Sequence, residues 1–199
     1  MGGSAATDRV WTVPNILSFA RLALAVGFFV LLERGATAAA CVAFVVAAST
    51  DWIDGWYARK YGQVSRLGRI LDPLVDKVLV CGAFILLAAR GGGAILPWMA
   101  VVVVVRELVV TAVRAEMERV GRDFSAGMSG KLKMVLQCAA VAVELARQGF
   151  GPALAGIDLS GLAGWLAWGA VVLTAWSGAE YVTRAWPVIV GRDDGRGRR

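Results

Sequence analysis

Six long apolar stretches alternate with short polar segments, and this alternation limits what the chain can fold into. They lie near residues 15–33, 37–50, 72–89, 94–113, 130–148 and 161–185. Connections such as RGAT and RGGGA are rich in glycine, as turns between helices often are. A helix needs about 20 residues to cross a bilayer. The pattern therefore predicts an all-α polytopic membrane protein with six transmembrane helices, the second of which continues past residue 50.

The composition favours this class of protein over others. Hydrophobic residues make up 58% of the chain and charged residues 18%, whereas soluble domains carry about 25% charged residues. The net charge is +6, but the basic residues lie between apolar runs, which predicts a lipid bilayer as partner and no nucleic acid. The chain has no histidine and three isolated cysteines. We therefore expect neither a histidine metal site nor a disulfide.

The basic residues are distributed unevenly between the two sides predicted for the membrane. With a cytoplasmic N-terminus, the outer loops hold only Arg34, Arg90 and Arg147 of the 21 lysines and arginines. An excess of basic residues marks the cytoplasmic side. We expect a cytoplasmic tail at 1–13, a transmembrane domain at 14–187 and a basic C-terminal tail at 188–199. The protein is then a multi-pass protein of the inner or plasma membrane, with a polar active site facing the cytoplasm.

Four aspartates flank the polar segment between the second and third apolar stretches. Asp51 and Asp54 are three residues apart, and Asp72 and Asp76 are four apart, so each pair lies on one face of its helix. Four carboxylates held together in a low dielectric repel one another strongly. A divalent cation relieves that repulsion, and oxygen-only ligands suit Mg²⁺, Mn²⁺ or Ca²⁺. The intervening glycines and arginines favour a diphosphate ligand at the same site.

Two other interpretations of these aspartates compete with a metal site for catalysis. A single aspartate at a helix end is often an N-cap, and Asp72 before Pro73 has the sequence of a cap followed by proline at the first helical position. The four acids could also form the ion site of a cation transporter. Such sites usually lie near the membrane midplane on broken helices, whereas these acids lie near one face, beside arginines.

These aspartates belong to a longer pattern. Asp51-x-x-Asp54-Gly55-x-x-Ala58-Arg59 is followed, after eight residues, by Gly68-x-x-x-Asp72-x-x-x-Asp76. This pattern resembles the signature of the CDP-alcohol phosphotransferase family, and every signature position is filled. Three further segments resemble the branch of that family that makes phosphatidylglycerol phosphate: VPNILSFAR, RELVVTAVR and GKLKMVLQ. In the first and third of these, Ser18 and Met134 stand where the branch has threonine.

The resemblance implies a reaction and the residues that bind the lipid substrate. The reaction transfers a phosphatidyl group from CDP-diacylglycerol to sn-glycerol 3-phosphate and releases CMP. The four aspartates would hold two ions of Mg²⁺ or Mn²⁺, and Asp76 would also take the proton of the acceptor hydroxyl. The resemblance implies that CDP-diacylglycerol is bound by Asp51, Asp54, Gly55, Ala58, Arg59, Gly68 and Asp72. It also implies a homodimer. The same signature fits a cardiolipin synthase or a phosphatidylinositol phosphate synthase.

Basic residues on the fourth and fifth apolar stretches are candidates for binding the acceptor phosphate. We expect Arg106, Arg114, Lys131 and Lys133 to do so, because they lie at the cytoplasmic ends of their predicted helices. Arg106 and Arg114 are eight residues apart and share a helix face. Lys131 and Lys133 are two apart and diverge, so only one should point inward, and the branch motif favours Lys131. Glu107 either orients Arg106 or is a plain surface residue.

Overall fold

Six α-helices make up nearly all of the described chain, which comprises residues 13–61, 68–120 and 128–190 of a computed structural model. The helices are α1 (Val13–Glu33), α2 (Thr37–Tyr61), α3 (Gly68–Arg90), α4 (Pro97–Arg119), α5 (Met128–Phe150) and α6 (Leu159–Ile189). A two-residue hairpin, β1 (Ala153–Leu154) and β2 (Ile157–Asp158), precedes α6. The all-α prediction is confirmed. The predicted tails lie largely in residues 1–12 and 191–199, outside the described residues.

Local sequence explains where several helices begin and end. Gly35 adopts a φ of 76° and closes α1, with its N–H donating to Leu32 and the N–H of Ala36 donating to Leu31, as in a Schellman cap. Pro97 is the first residue of α4, where its missing N–H costs nothing. The Asp158 carboxylate accepts from the first backbone N–H groups of α6, which caps that helix.

The apolar faces of the helices pack into one core. α1 packs against α2 and α3, α5 packs between α2 and α6, and α4 packs against α3 and α6. The Phe28 and Phe44 rings meet at a centroid distance of 5.5 Å. Further residues from α3 and α4 that are fully buried in the same cluster are Phe84, Leu87 and Met99. The same cluster includes buried residues of α5 and α6, so the core joins all six helices.

Two ends of the bundle are distinguished by their connections. At the glycine-loop end, formed by segments 34–36, 91–96 and 151–158, Arg90 from α3 donates to the Leu32 carbonyl of α1 at 2.5 Å. Arg147 from α5 donates to the Gly92 carbonyl at 3.3 Å. The aspartate end is the opposite one, where α2 and α4 finish and α3 and α5 begin. Consecutive helices thus run in opposite directions, and the aspartates lie away from the glycine loops.

The structure tests two expectations about the aspartate helices. α2 continues to Tyr61, so Asp51 and Asp54 are helical, as predicted. α3 already begins at Gly68, which places Asp72 inside the helix. The interpretation of Asp72 as an N-cap is therefore wrong: five helical residues, Gly68 to Asp72, precede Pro73, which is more than one turn. The proline interrupts one backbone hydrogen bond of α3 without ending the helix.

The described helices differ in how well they suit a bilayer. One segment, Leu159–Val188 in α6, is long and apolar enough to cross a membrane by length and composition, with a mean hydropathy of 1.4. In α2, Thr37–Thr50 forms a shorter apolar stretch. α4 and α5 are long enough but carry several charged residues, which lower their hydropathy. Six membrane spans therefore remain a prediction.

Candidate functional site

The helical backbone brings the four predicted metal ligands to one end of the bundle. Asp51 and Asp54 lie in the last turns of α2, and Asp72 and Asp76 lie in the first turns of α3. Gly55, Ala58 and Arg59 follow on α2, and Gly68 opens α3. The side chains of residues 51–73 lie outside the described part of the structure. Among the side chains that are described, no group of three or more acids, histidines or cysteines could hold a metal, so the metal site stays a prediction.

A buried ion cluster joins α4 to α5, and we define it by Arg106, Glu107 and Lys133. Glu107 Oε1 accepts from Arg106 Nη1 at 3.1 Å and also pairs with Lys133 Nζ. The three side chains are only 11%, 12% and 8% exposed. One carboxylate therefore faces two cations in a low-dielectric interior, where an unpaired charge is costly. The ion cluster keeps one positive charge in excess, which suits an anionic ligand.

Polar side chains extend the ion cluster to α6. Arg106 Nη2 donates to Ser177 Oγ at 3.1 Å, and Ser177 Oγ donates to the Thr174 carbonyl at 3.1 Å. From α5, Gln137 Nε2 donates to Thr174 Oγ1 at 2.8 Å. Because these bonds are directional, they fix α4, α5 and α6 in one rotational setting around the Arg106 guanidinium.

The ion cluster also adjoins α3, the helix that carries Asp72 and Asp76. Lys77 Nζ donates to Thr111 Oγ1 at 2.6 Å, and Thr111 Oγ1 donates to the Glu107 carbonyl at 2.5 Å. Asp76 is half-buried, and its charge acts on Lys133 together with those of Glu107 and Arg106. The structure thus brings one predicted metal ligand close to Lys133, one of the predicted acceptor residues.

The two candidate lysines on α5 face different parts of the molecule. Lys133 is 6% exposed and lies in the ion cluster, whereas Lys131 is exposed. The expectation that Lys131 points into the bundle is therefore wrong. Two residues subtend about 200° on a helix, and the buried side of α5 contains Lys133, Gln137 and Glu144. Lys131 lies on the opposite side.

Lys131 instead borders a cavity of about 800 Å³ between α2 and α5. We call it the α2–α5 cavity. Its walls are mostly apolar, and Ser49 and Lys131 are its polar members. The other lining residues are Phe44, Val45, Ala48, Met134, Val135, Cys138, Ala139 and Ala142. Because Ser49 precedes Asp51 by two residues, the cavity leads from the apolar middle of the bundle to its aspartate end.

Arg114 lies two turns beyond Arg106 on α4 and is held by an aromatic ring. Its guanidinium carbon is 5.9 Å from the centre of the Tyr181 ring on α6, within range of a cation–π contact. Nearby, Ser129 at the start of α5 donates to Glu180 at 2.8 Å. The aspartate end therefore carries a second basic position, at the junction of α4, α5 and α6.

The structure also identifies buried polar residues for which no sequence pattern predicted a role. Ser18 and Arg21 on α1 are 2% and 1% exposed, and both belong to the segment VPNILSFAR. Gln137 ends the segment GKLKMVLQ and is 2% exposed. Thr174 and Ser177 lie in an apolar helix and match no motif. A polar residue in an apolar helix is itself a signal of an interior position, and that signal could have identified them.

Comparison with known proteins agrees with the motif. A family model described as CDP-alcohol phosphatidyltransferase matches residues 11–176. A protein of Bacillus subtilis (strain 168), named CDP-diacylglycerol–glycerol-3-phosphate 3-phosphatidyltransferase, is 34% identical over 195 residues, covering 90% of this chain and 98% of that protein. The protein of that name from Escherichia coli (strain K12) is 35% identical over 181 residues, covering 88% of this chain and 95% of its own. The matched family segment contains both aspartate pairs, α4 and α5.

Replacing Glu107 by alanine should destabilise the fold strongly, because it leaves Arg106 and Lys133 buried without their shared carboxylate. Breaking a buried ion pair in this way costs about 3–5 kcal/mol. The matched control is Glu116→Ala on the same helix, whose pair with Arg119 is solvent-exposed and should contribute little to stability. Thermal unfolding of the purified variants in detergent measures both. Equal melting temperatures would show that the ion cluster does not hold α4 and α5 together.

Proposed function

The chain belongs to the CDP-alcohol phosphatidyltransferase family, and we propose that it transfers a phosphatidyl group from CDP-diacylglycerol to sn-glycerol 3-phosphate. In this reaction a bond forms between the acceptor hydroxyl oxygen and the phosphatidyl phosphorus, the bond from that phosphorus to CMP breaks, and the hydroxyl proton is removed. The observation that carries the choice of acceptor is the ion cluster, a buried site with excess positive charge beside Asp76.

Asp51, Asp54, Asp72 and Asp76 are the proposed ligands of Mg²⁺ or Mn²⁺. An all-carboxylate set from two consecutive helices fits a hard divalent cation. Bound there, the metal would neutralise the diphosphate and the departing CMP. Asp76 is the proposed general base by the family pattern, and a carboxylate suits that role in a chain without histidine.

The α2–α5 cavity is the proposed site for the apolar part of CDP-diacylglycerol. Its walls suit acyl chains, and Ser49 and Lys131 lie where the cavity approaches the aspartates. Gly55, Ala58, Arg59 and Gly68 are the proposed contacts of the cytidine diphosphate, because small residues admit the nucleotide and an arginine pairs with phosphate. The acceptor phosphate would bind on the other side of α5, at Arg106 and Lys133, with Arg114 further towards the aspartate end.

All six helices are proposed to cross the bilayer, with the aspartate end at the cytoplasm. The outer surface supports this placement, because large apolar side chains face outward: Trp165 is 81% exposed, Trp176 70% and Leu108 65%. Polar residues such as Gln137 and Thr174 lie inside. An apolar outer surface combined with buried polar side chains is unfavourable in water and suits lipid.

Chelation of divalent metal should abolish turnover, and Asp76→Asn should reduce it by about 10²–10⁴-fold, the usual contribution of a general base. CMP release from CDP-diacylglycerol in detergent is the measurement, with Mg²⁺ or Mn²⁺ added back as control. Release of CMP without a sealed membrane also separates an enzyme from a cation transporter. Full turnover in excess EDTA would refute the proposed metal dependence. Near-normal turnover of Asp76→Asn would refute its role as general base.

Single cysteines on the two ends should label from opposite sides of the membrane. Ala36→Cys lies in a glycine loop and Val120→Cys follows α4, and both positions are exposed. In a variant without Cys41, Cys81 and Cys138, an impermeant maleimide applied to intact spheroplasts should label position 36 at once and position 120 only after lysis. Labelling of both positions from one side would rule out the proposed topology.

Loss of Arg106 or Lys133 should weaken acceptor use without weakening CDP-diacylglycerol use. A charge-assisted phosphate contact contributes roughly 1.5–3 kcal/mol, so Arg106→Ala or Lys133→Ala should raise the KM for glycerol 3-phosphate about 10- to 100-fold. Arg119→Ala is the control, since Arg119 is on α4 but exposed.

The same assay includes a panel of acceptors, which separates the members of the family. Equal damage to the use of both substrates would indicate a structural role for these cations. Turnover with phosphatidylglycerol in place of glycerol 3-phosphate would make the protein a cardiolipin synthase. Turnover with inositol phosphate would make it a phosphatidylinositol phosphate synthase.

A further inference from the structure

Gly178 on α6 lies directly against the Arg106 side chain. A Cβ atom built on Gly178 would be 2.8 Å from Arg106 Cγ, 3.8 Å from Arg106 Nε and 3.9 Å from Arg106 Cβ. The first distance is shorter than real Cβ contacts. Gly178 is not among the residues with positive φ, so the backbone itself accepts any residue here. What position 178 requires is the absence of a side chain.

Position 178 is sensitive to an added side chain because the nearest atom is Arg106 Cγ, close to the backbone. Arg106 Cγ is placed by the χ1 rotation alone, so an added methyl group cannot be avoided by moving the far end of the side chain. A change of χ1 carries the whole guanidinium away from its present partners, which are Glu107 at 3.1 Å and Ser177 at 3.1 Å. Ser177 is the neighbour of Gly178 on α6, so the same turn of α6 provides both the space and the hydrogen-bond acceptor for Arg106.

The guanidinium held in this way keeps a donor for a ligand. Arg106 Nε is buried and has no hydrogen-bond partner among the described residues, while both terminal nitrogens are engaged by Glu107 and Ser177. A buried donor without a partner is costly in a resting protein. It is satisfied when an anionic oxygen binds.

We propose that Gly178 is a positioning residue that sets acceptor affinity. Its lack of a side chain leaves room for the Arg106 rotamer that binds the phosphate monoester of a small alcohol. This inference rests on the proposed function, in which Arg106 contacts the acceptor phosphate. Gly178 itself touches Arg106 and no reacting atom.

The chain offers a matched control on the same helix. A Cβ atom on Gly164 would meet nothing within 4 Å. Gly164→Ala and Gly178→Ala therefore make the same chemical change in α6 and gain the same helix propensity. Gly178→Ala should raise the KM for glycerol 3-phosphate about 10-fold or more and leave the KM for CDP-diacylglycerol within about twofold. Gly164→Ala should change neither.

Combining Gly178→Ala with Arg106→Ala tests whether Gly178 affects the acceptor KM through Arg106. Arg106→Ala removes Cγ, so Gly178→Ala should cause no further rise in the acceptor KM in that background, a non-additivity expected only of coupled residues. An additive rise, or a wild-type acceptor KM for Gly178→Ala while Arg106→Ala raises it, would overturn the inference. An unchanged acceptor KM in Arg106→Ala would instead overturn the proposed acceptor site. Equal loss of both substrates in Gly178→Ala would assign the glycine to packing alone.

Discussion

The shared carboxylate of Glu107 is the interaction on which the described site depends. Two cations, Arg106 and Lys133, lie inside a bundle whose interior is mostly apolar, and such charges persist only when paired. Glu107, their common partner, fixes the register of α4 against α5, because Arg106 and Lys133 must reach the same carboxylate from the two helices. Ser177 then fixes α6 against the same guanidinium. Three helices are thus oriented by polar contacts, whereas α1 to α3 are joined mainly by the apolar core.

The charged residues at the two ends of the bundle have different roles: those at the glycine-loop end stabilise the fold, and those at the aspartate end are the proposed ligand contacts. At the glycine-loop end, Glu144 is fully buried and accepts from Arg147 and Gln148, and Arg147 and Arg90 also bind backbone carbonyls. Here Arg90 and Arg147 tie their helices to the neighbouring backbone. At the aspartate end, Arg106 and Lys133 share the carboxylate of Glu107, and the Arg114 guanidinium lies over the Tyr181 ring. Under the proposed function, the positive charge that Glu107 does not balance binds the acceptor phosphate.

Much of the fold and part of the site follow from single-helix patterns. Apolar runs predict the six helices, and the shortness of the second run predicts that α2 continues through Asp51 and Asp54. The spacing of Lys131 and Lys133 predicts that they diverge but not which faces inward, because that depends on how α5 is rotated against α4. The roles of Ser177 and Gly178 cannot be predicted from the sequence for the same reason. Both residues contact Arg106, which is 71 residues from Ser177 in the chain. Asp72 and Pro73 have the local sequence of a helix start, but α3 begins earlier, at Gly68. The local pattern therefore does not show where the helix begins.

The divergence of the two lysines has a consequence for how two substrates meet. Under the proposed function, Lys131 faces the α2–α5 cavity with the lipid donor, and Lys133 faces the ion cluster with the acceptor. A single turn of α5 therefore separates a membrane-soluble substrate from a water-soluble one. Asp76 acts electrostatically on Lys133 and belongs to the aspartate set that would hold the donor diphosphate. Under the proposed function, Asp76 would then remove the hydroxyl proton of the acceptor close to Lys133, which would bind the acceptor phosphate.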